Sequence, residues 1–223
     1  MSSTDSDLKI ELEGLEHEIQ IAKNGLLDYV KRHFNTDREN SLIYCLRRAI
    51  ELAEGCKTFA KENLLTPQYL LTRGLLECLV WVCWIAKSKE NAQVFTDAPR
   101  NELKRLAKKN STERHGRVVD KITDEDKTEE LLNSEWSKDI RPRLRIESAA
   151  KDVGLDKLYT QMYGFLSIFA HGIMLETNPN VNDEMASVVA IANVLMECVN
   201  LVVKDWIVDR KQTPIKDIYT ILQ

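Results

Sequence analysis

The stretch PQYLLTRGLLECLVWVCWIAK, Pro67 to Lys87, decides the fold. It is apolar on nearly every side of a helix, and before the closing Lys87 only Arg73 and Glu77 break it with charge. A helix of that kind must be covered all round by other elements. Thr66 before Pro67 reads as an N-cap with proline in the first helical position, a start signal for this helix. Working outward, Thr36-Asp-Arg-Glu39 fits a capping box, in which hydroxyl and carboxylate satisfy free amides reciprocally. The helix it opens, about Asp37 to Asn63, carries Leu42, Cys45, Leu46, Ala49, Ile50, Ala53, Cys56 and Ala60 on one stripe. A first helix is expected from about Asp7 to His33. A long one is expected from about Glu184 to Asp209, with Asn182 and Asp183 as caps. Its polar residues Asn193, Glu197, Asn200 and Lys204 form one narrow stripe on an otherwise buried surface. Thr213 before Pro214 signals a last helix, and Thr123 with Asp126 offers a weaker capping box.

Composition agrees with an all-helical protein. Among 223 residues there are only 8 glycines and 5 prolines, against roughly one residue in eight for the two together in an average chain. Turn-rich β folds need more of both. Charged residues make up 30% and apolar residues 43%, which fits a globular chain and excludes a disordered one. The net charge of −4 excludes a basic field spread over the whole protein. The polar, acidic N-terminus lacks the features of a signal peptide. The two most apolar windows, Tyr69–Ala86 and Met185–Val203, are interrupted by polar or charged residues, so no membrane span is expected. Five cysteines without a Cys-x-x-Cys pair read as buried free thiols in a reducing compartment. The protein is therefore expected to be cytoplasmic.

The middle of the chain differs. Arg100 to Lys121 holds eight Lys or Arg and three acids, and Asp124 to Glu135 holds six acids and one lysine. Apolar periodicity is thin over about residues 97–150. The expected architecture is a single-domain, all-α antiparallel bundle with this stretch as a charged helical insertion. The basic run lacks interleaved aromatics that would stack bases, so it reads as a solvated face.

Two helices carry candidate chemistry. Arg73 and Glu77 lie four apart, on one face of the central helix. They are either a structural ion pair or a polar pocket in which a guanidinium meets an anionic group and a carboxylate orients it. Arg before Glu is the weaker order for local helix pairing, so helix stability alone does not explain the choice. In the segment after Leu155, Tyr159, Tyr163, Ser167 and His171 recur every four residues and form a stripe able to hydrogen-bond. Leu155, Leu158, Met162, Phe165 and Phe169 form an apolar stripe beside it. His171 has the intrinsic pKa of an acid or base. Two polar stripes in one bundle are expected to meet, which brings Arg73 or Glu77 within reach of Tyr163, Ser167 or His171. There is no glycine elbow around Ser167, no phosphate-binding loop, no dinucleotide fingerprint and no metal-ligand spacing. Glu13 and His17 read as a solvated pair, and His33 and His115 as surface residues. No cofactor is implied.

Arg73-Gly-Leu-Leu-Glu77, then Ala149-Ala-Lys-Asp-Val-Gly-Leu155, Tyr159-Thr-Gln-Met-Tyr163, Leu166-Ser167 and His171-Gly172 follow one another in an order that resembles a prokaryotic domain family of unknown function. In that family an Arg-x-x-x-Glu helix precedes a Tyr-x-x-Leu-Ser-x-x-x-His helix. Over roughly residues 40–205 the chain is similar to the HEPN superfamily (higher eukaryotes and prokaryotes nucleotide-binding domains). The resemblance implies a helical bundle that dimerises and serves a toxin, abortive-infection or anti-phage system, binding or cleaving RNA or a nucleotide without metal. It implies catalytic roles for His171, Arg73 and Glu77 and binding roles for Tyr163, Ser167 and Tyr159. HEPN ribonucleases carry Arg, then four to six residues, then His, on one helix. Here Phe165, Leu166 and, slightly nearer, Ser167 precede His171 with no Arg among them, and Arg73 of another helix is the candidate to stand in. The alternative reading is a non-catalytic helical module, an adaptor or antitoxin-like partner of another protein.

A bundle of this size leaves an amphipathic helix face to cover, and the resemblance implies pairing. A homodimer about a twofold axis is expected. Light scattering at micromolar concentration checks it; a monomer refutes it.

Overall fold

The structure is a computed structural model, and it describes residues 3–29, 36–113, 117–134, 143–170, 181–209 and 211–222. Among these the regular elements are helical, with no strand: α1 Ser3–Gln20, α2 Asp37–Lys61, α3 Leu65–Lys87, α4 Lys89–Thr112, α5 Thr128–Asn133, α6 Ile146–Val153, α7 Asp156–Ala170, α8 Val181–Ile207 and α9 Ile215–Ile221. The chain divides into two compact units. One joins residues 1–92 with 146–223, and the other is residues 93–145.

In the larger unit α3 is the hub. It packs against α2, α6, α7 and α8, while α1 lies on α8 and α2. Leu75, Leu76, Leu79, Val80, Val82 and Ile85 of α3 are fully buried, as its all-round apolar sequence requires. Two glycines let α2 and α3 approach. A Cβ at Gly55 would lie 2.8 Å from Leu71 Cδ1, and one at Gly74 would lie 2.9 Å from Leu52 Cδ1. Each glycine thus receives a leucine of the other helix, and Arg73 is left beside that contact.

Local signals explain several boundaries. The capping box of α2 is present as expected: Glu39 N donates to Thr36 Oγ1 at 3.3 Å and Thr36 N to Glu39 Oε2 at 3.0 Å. The other end of the hub is held from outside. Arg38 Nε donates to the Ile85 carbonyl at 3.0 Å, and its Nη2 donates to the Ala86 carbonyl. These carbonyls lie in the last turn of α3, where in-helix partners run out and the dipole favours a cation. The same guanidinium stacks 4.5 Å over the Trp206 ring. Between α6 and α7, Gly154 takes a φ of +80°, a left-handed value that suits glycine, and its carbonyl accepts from Tyr219 Oη at 3.0 Å.

Other boundaries correct the sequence reading. Helix α3 starts at Leu65 with Leu64 as N-cap, so Thr66 and Pro67 lie inside the first turn and Thr66 does not cap it. Proline is tolerated there because first-turn amides have no in-helix acceptor. At the last helix Pro214 is itself the N-cap. Thr213 instead donates to buried Asp205 at 2.8 Å, so a tertiary partner displaces the expected local cap. Thr123 and Asp126 make no capping box. They sit in a turn closed by an isolated bridge between Val119 and Asp126, and Asp126 Oδ1 accepts from Thr128 N at the start of α5. Asp183 lies inside the first turn of α8 and is not its cap. The first helix also changes character, since Ile21–Leu27 is π-helical.

The polar stripe of α8 has a partner in α1. Asn193 donates to Glu11 Oε2 at 3.4 Å, and Asn200 donates to both the carbonyl and Oε2 of Glu18 at 2.9 Å. The Glu18 carbonyl lies just ahead of the π-helical stretch. There the change from i+4 to i+5 pairing leaves carbonyls short of in-helix donors. Helix α3 and the Asp183–Ile207 part of α8 are each long and apolar enough to cross a membrane by length and composition alone. Most of the apolar window of each is buried inside the protein, as in any core helix.

In the smaller unit two members of the basic run, Arg105 and Lys109, pair locally, and Arg143 from beyond the run joins one of those pairs. Arg105 bonds Glu102 at 2.8 Å, Arg143 meets the same carboxylate at 3.6 Å, and Lys109 meets Glu113 at 4.0 Å. Surface pairs of this kind contribute little stability.

Asp152 ties α6 to the end of α3. It accepts from Trp84 Nε1 at 3.0 Å and from Lys87 Nζ at 2.5 Å. The Lys87 hydrogen bond holds its carboxyl below the usual range, against the opposing effect of burial. A lowered folded-state value stabilises the protein above the unfolded value, and this contribution is lost as pH falls. Asp152→Asn is expected to lower the melting temperature at neutral pH. The difference from the parent should shrink as the pH falls below the ordinary aspartate range and vanish once it passes below the lowered folded-state value, where both carry an uncharged group. Thermal melts across pH check this.

Candidate functional site

The candidate site forms where α7 crosses α3. On α3, Thr72 is fully buried and Gly74 faces α2, which leaves Arg73 and Glu77 together on the α7 side, half-buried. On α7, residues Tyr159, Tyr163 and Ser167 lie one turn apart in succession. Tyr159 is buried, and the other two are partly exposed.

Arg73 organises the cluster. Its Nη2 donates to Tyr163 Oη, its Nη1 to Ser167 Oγ at 3.5 Å and its Nε to Glu77 Oε1 at 3.4 Å. Its guanidinium carbon lies 4.1 Å from the centre of the Tyr163 ring, within cation–π range. Tyr163 in turn stacks on Tyr159 with centroids 4.9 Å apart. The result is a ladder of guanidinium and two phenol rings spanning two helices. The expected meeting of the stripes is thus observed for Arg73 with Tyr163 and Ser167.

Tyr159 has a different status. The residue is 3% exposed, and its hydroxyl has no hydrogen-bond partner among the described residues. Burial pushes its pKa up, and the neighbouring Tyr163 pushes the same way, as do Glu147 and Glu77; Arg73 opposes them. The hydroxyl therefore stays protonated and is a donor without an acceptor among the described residues.

His171 lies outside the described residues, as do His33, His115 and Gly172. The apolar stripe of α7 is not turned fully inward. Leu155 is buried, but Phe165 is 46% exposed and Ile168 on the adjacent face 41%. The helix is rotated so that its hydroxyl stripe shares the inner face with Leu166.

Sequence reading missed two contributors. Tyr69, one turn before Arg73 on α3, donates to Glu184 at the start of α8, and its ring meets Phe165 edge-on at 6.1 Å. Their only signal was Tyr69 lying four residues before Arg73; nothing local announced Glu184, 115 residues away. A cleft of about 90 Å3 lies elsewhere, lined by Cys83, Lys87, Asp152, Val202 and Thr213 among others, and contains none of the candidate residues. No group of three or more His, Cys, Asp or Glu placed to hold a metal occurs among the described residues. All five cysteines are buried and free. Burial pushes the thiols of Cys56, Cys78 and Cys198 up to about 12, far from a reactive thiolate.

Tyr163→Phe removes an acceptor from Arg73 while keeping the ring. It is expected to lower stability by about 1–3 kcal/mol, since a hydrogen bond to a charged group is lost from a half-buried site. Denaturant unfolding of the two proteins measures the difference.

The cluster lies within the part of the chain that known sequences resemble. Neither a curated protein nor a solved structure matches the chain. A family model does, over residues 39–186, which takes in nearly all of α2, the whole of α3 and α7, and every member of the cluster. The chain belongs to DUF5677, a family of unknown function.

Proposed function

We propose that the cluster around Arg73 binds a phosphate group of RNA or of a nucleotide, and that the protein is a HEPN-like, cytoplasmic, homodimeric component of a prokaryotic defence or stress system. The observation that carries the reading is the guanidinium itself. It is fixed across two helices by Tyr163 and Ser167, yet its side chain keeps 23% of its surface open to solvent. A fixed, partly exposed guanidinium is the group of choice for a phosphate. Glu77 supports the reading as the carboxylate that orients it. If the protein cleaves RNA, His171 is the acid or base and Arg73 stabilises charge on the phosphorane.

A second reading is a non-catalytic interaction module. It draws on the exposure of Leu70, Phe165 and Ile168, large apolar side chains that a partner protein would cover.

Calorimetric titration with a short single-stranded RNA tests the first reading. Arg73→Ala is expected to weaken binding about tenfold or more, the worth of a charged hydrogen bond. His171→Ala is expected to keep the fold and binding and to abolish cleavage, toxicity or phage restriction. Phenotypes that follow melting temperature alone would favour the second reading.

A further inference from the structure

The cluster contains more donors than acceptors. Tyr163 Oη and Ser167 Oγ both accept from Arg73, so each still has its own O–H to donate. Arg73 has five N–H groups, and three are directed at described partners. Tyr159 Oη is buried and lacks an acceptor among the described residues. Against these stand two carboxylates: Glu77, held on Arg73 by a long 3.4 Å contact, and Glu147, which acts on the Tyr159 hydroxyl only electrostatically. Both Glu77 and Arg73 lie close enough to the Tyr159 hydroxyl to act on it electrostatically. A buried hydroxyl without a partner is costly and rare. It is explained if its acceptor arrives in a second state of the site.

We propose that the cluster binds a phosphomonoester by hydrogen-bond exchange: the phosphoryl oxygens take the place of Glu77 on Arg73 and accept from Tyr163 and Ser167, while Glu77 turns to accept the Tyr159 hydroxyl. This deepens the phosphate-binding reading above and rests on it. The exchange gives each of the three hydroxyls, Tyr159, Tyr163 and Ser167, an acceptor in the liganded state. It favours a terminal phosphate over a bridging phosphodiester, because three free oxygens and a second negative charge match this number of donors. The phosphomonoester is presented either by a free nucleotide or by the 5′ end of an RNA chain, and the chemistry recognised is the same.

The test uses the full chain and four probes: AMP, adenosine, and a single-stranded octaribonucleotide with and without a 5′-phosphate. Calorimetry is expected to show AMP or the phosphorylated octamer, or both, binding about tenfold or more tightly than its unphosphorylated counterpart. Stronger binding of AMP identifies the nucleotide as the source, and stronger binding of the octamer identifies the RNA end. Tyr159→Phe is expected to weaken the phosphorylated probe about five- to tenfold, through loss of the Glu77 acceptor pairing in the bound state. Its melting temperature without ligand should not fall, since no hydrogen bond is removed. Equal binding of the two octamers, with adenosine binding as well as AMP, overturns the phosphomonoester and leaves RNA binding standing. Unchanged affinity in Tyr159→Phe, or a melting temperature that falls, overturns the exchange. Binding of no probe overturns both this inference and the reading it rests on.

Discussion

Everything in the larger unit follows from having to cover α3. A helix that is apolar on nearly every side has no face to give to water, so other helices must enclose it. That single demand recruits α2, α6, α7 and α8 as neighbours. It also fixes their closeness, since Gly55 and Gly74 admit leucines where a side chain would hold α2 and α3 apart. Even the end of the hub is covered by a side chain, with Arg38 reaching the last carbonyls.

Within that enclosure Arg73 is an exception that must be accommodated. A charge on a core helix is costly unless it is paired and hydrogen-bonded. Glu77 alone, at 3.4 Å on the same helix, is a weak partner. The rest comes from α7, whose hydroxyls and rings complete the coordination. This explains the rotation of α7. Its polar stripe turns inward to serve the guanidinium, and Phe165 and Ile168 are left partly in solvent as a result.

Most of this was legible in sequence, for identifiable reasons. The apolar girth of α3 and the capping box of α2 are local signals with little competition, and both are present in the structure. The pairing of the two polar stripes followed from the expense of burying either one alone. What escaped was tertiary. Thr213 had a buried carboxylate to bond, which outbid its local role as a cap. The π-helical stretch at Ile21 has no residue signature, and it is accompanied by an amide from Asn200, 182 residues from Glu18. The rotation of α7 could not be read from its apolar stripe, because the stripe suggests the opposite face. His171, the residue to which the sequence assigned acid–base chemistry, lies outside the described structure.

The contact between Arg73 and Tyr163 joins residues 90 positions apart, and the smaller unit, residues 93–145, occupies most of the chain between them. This has a consequence for the order of assembly. Loop-closure entropy grows only slowly with length, so a long intervening segment is thermodynamically cheap. Kinetically it is not neutral, because non-local contacts slow folding. On a ribosome the hub helix is complete long before α7 emerges. Until then α3 exposes apolar surface and an unmatched guanidinium. A nascent chain in that condition is open to wrong partners, and the intervening unit has to be synthesised before α7 can close over it.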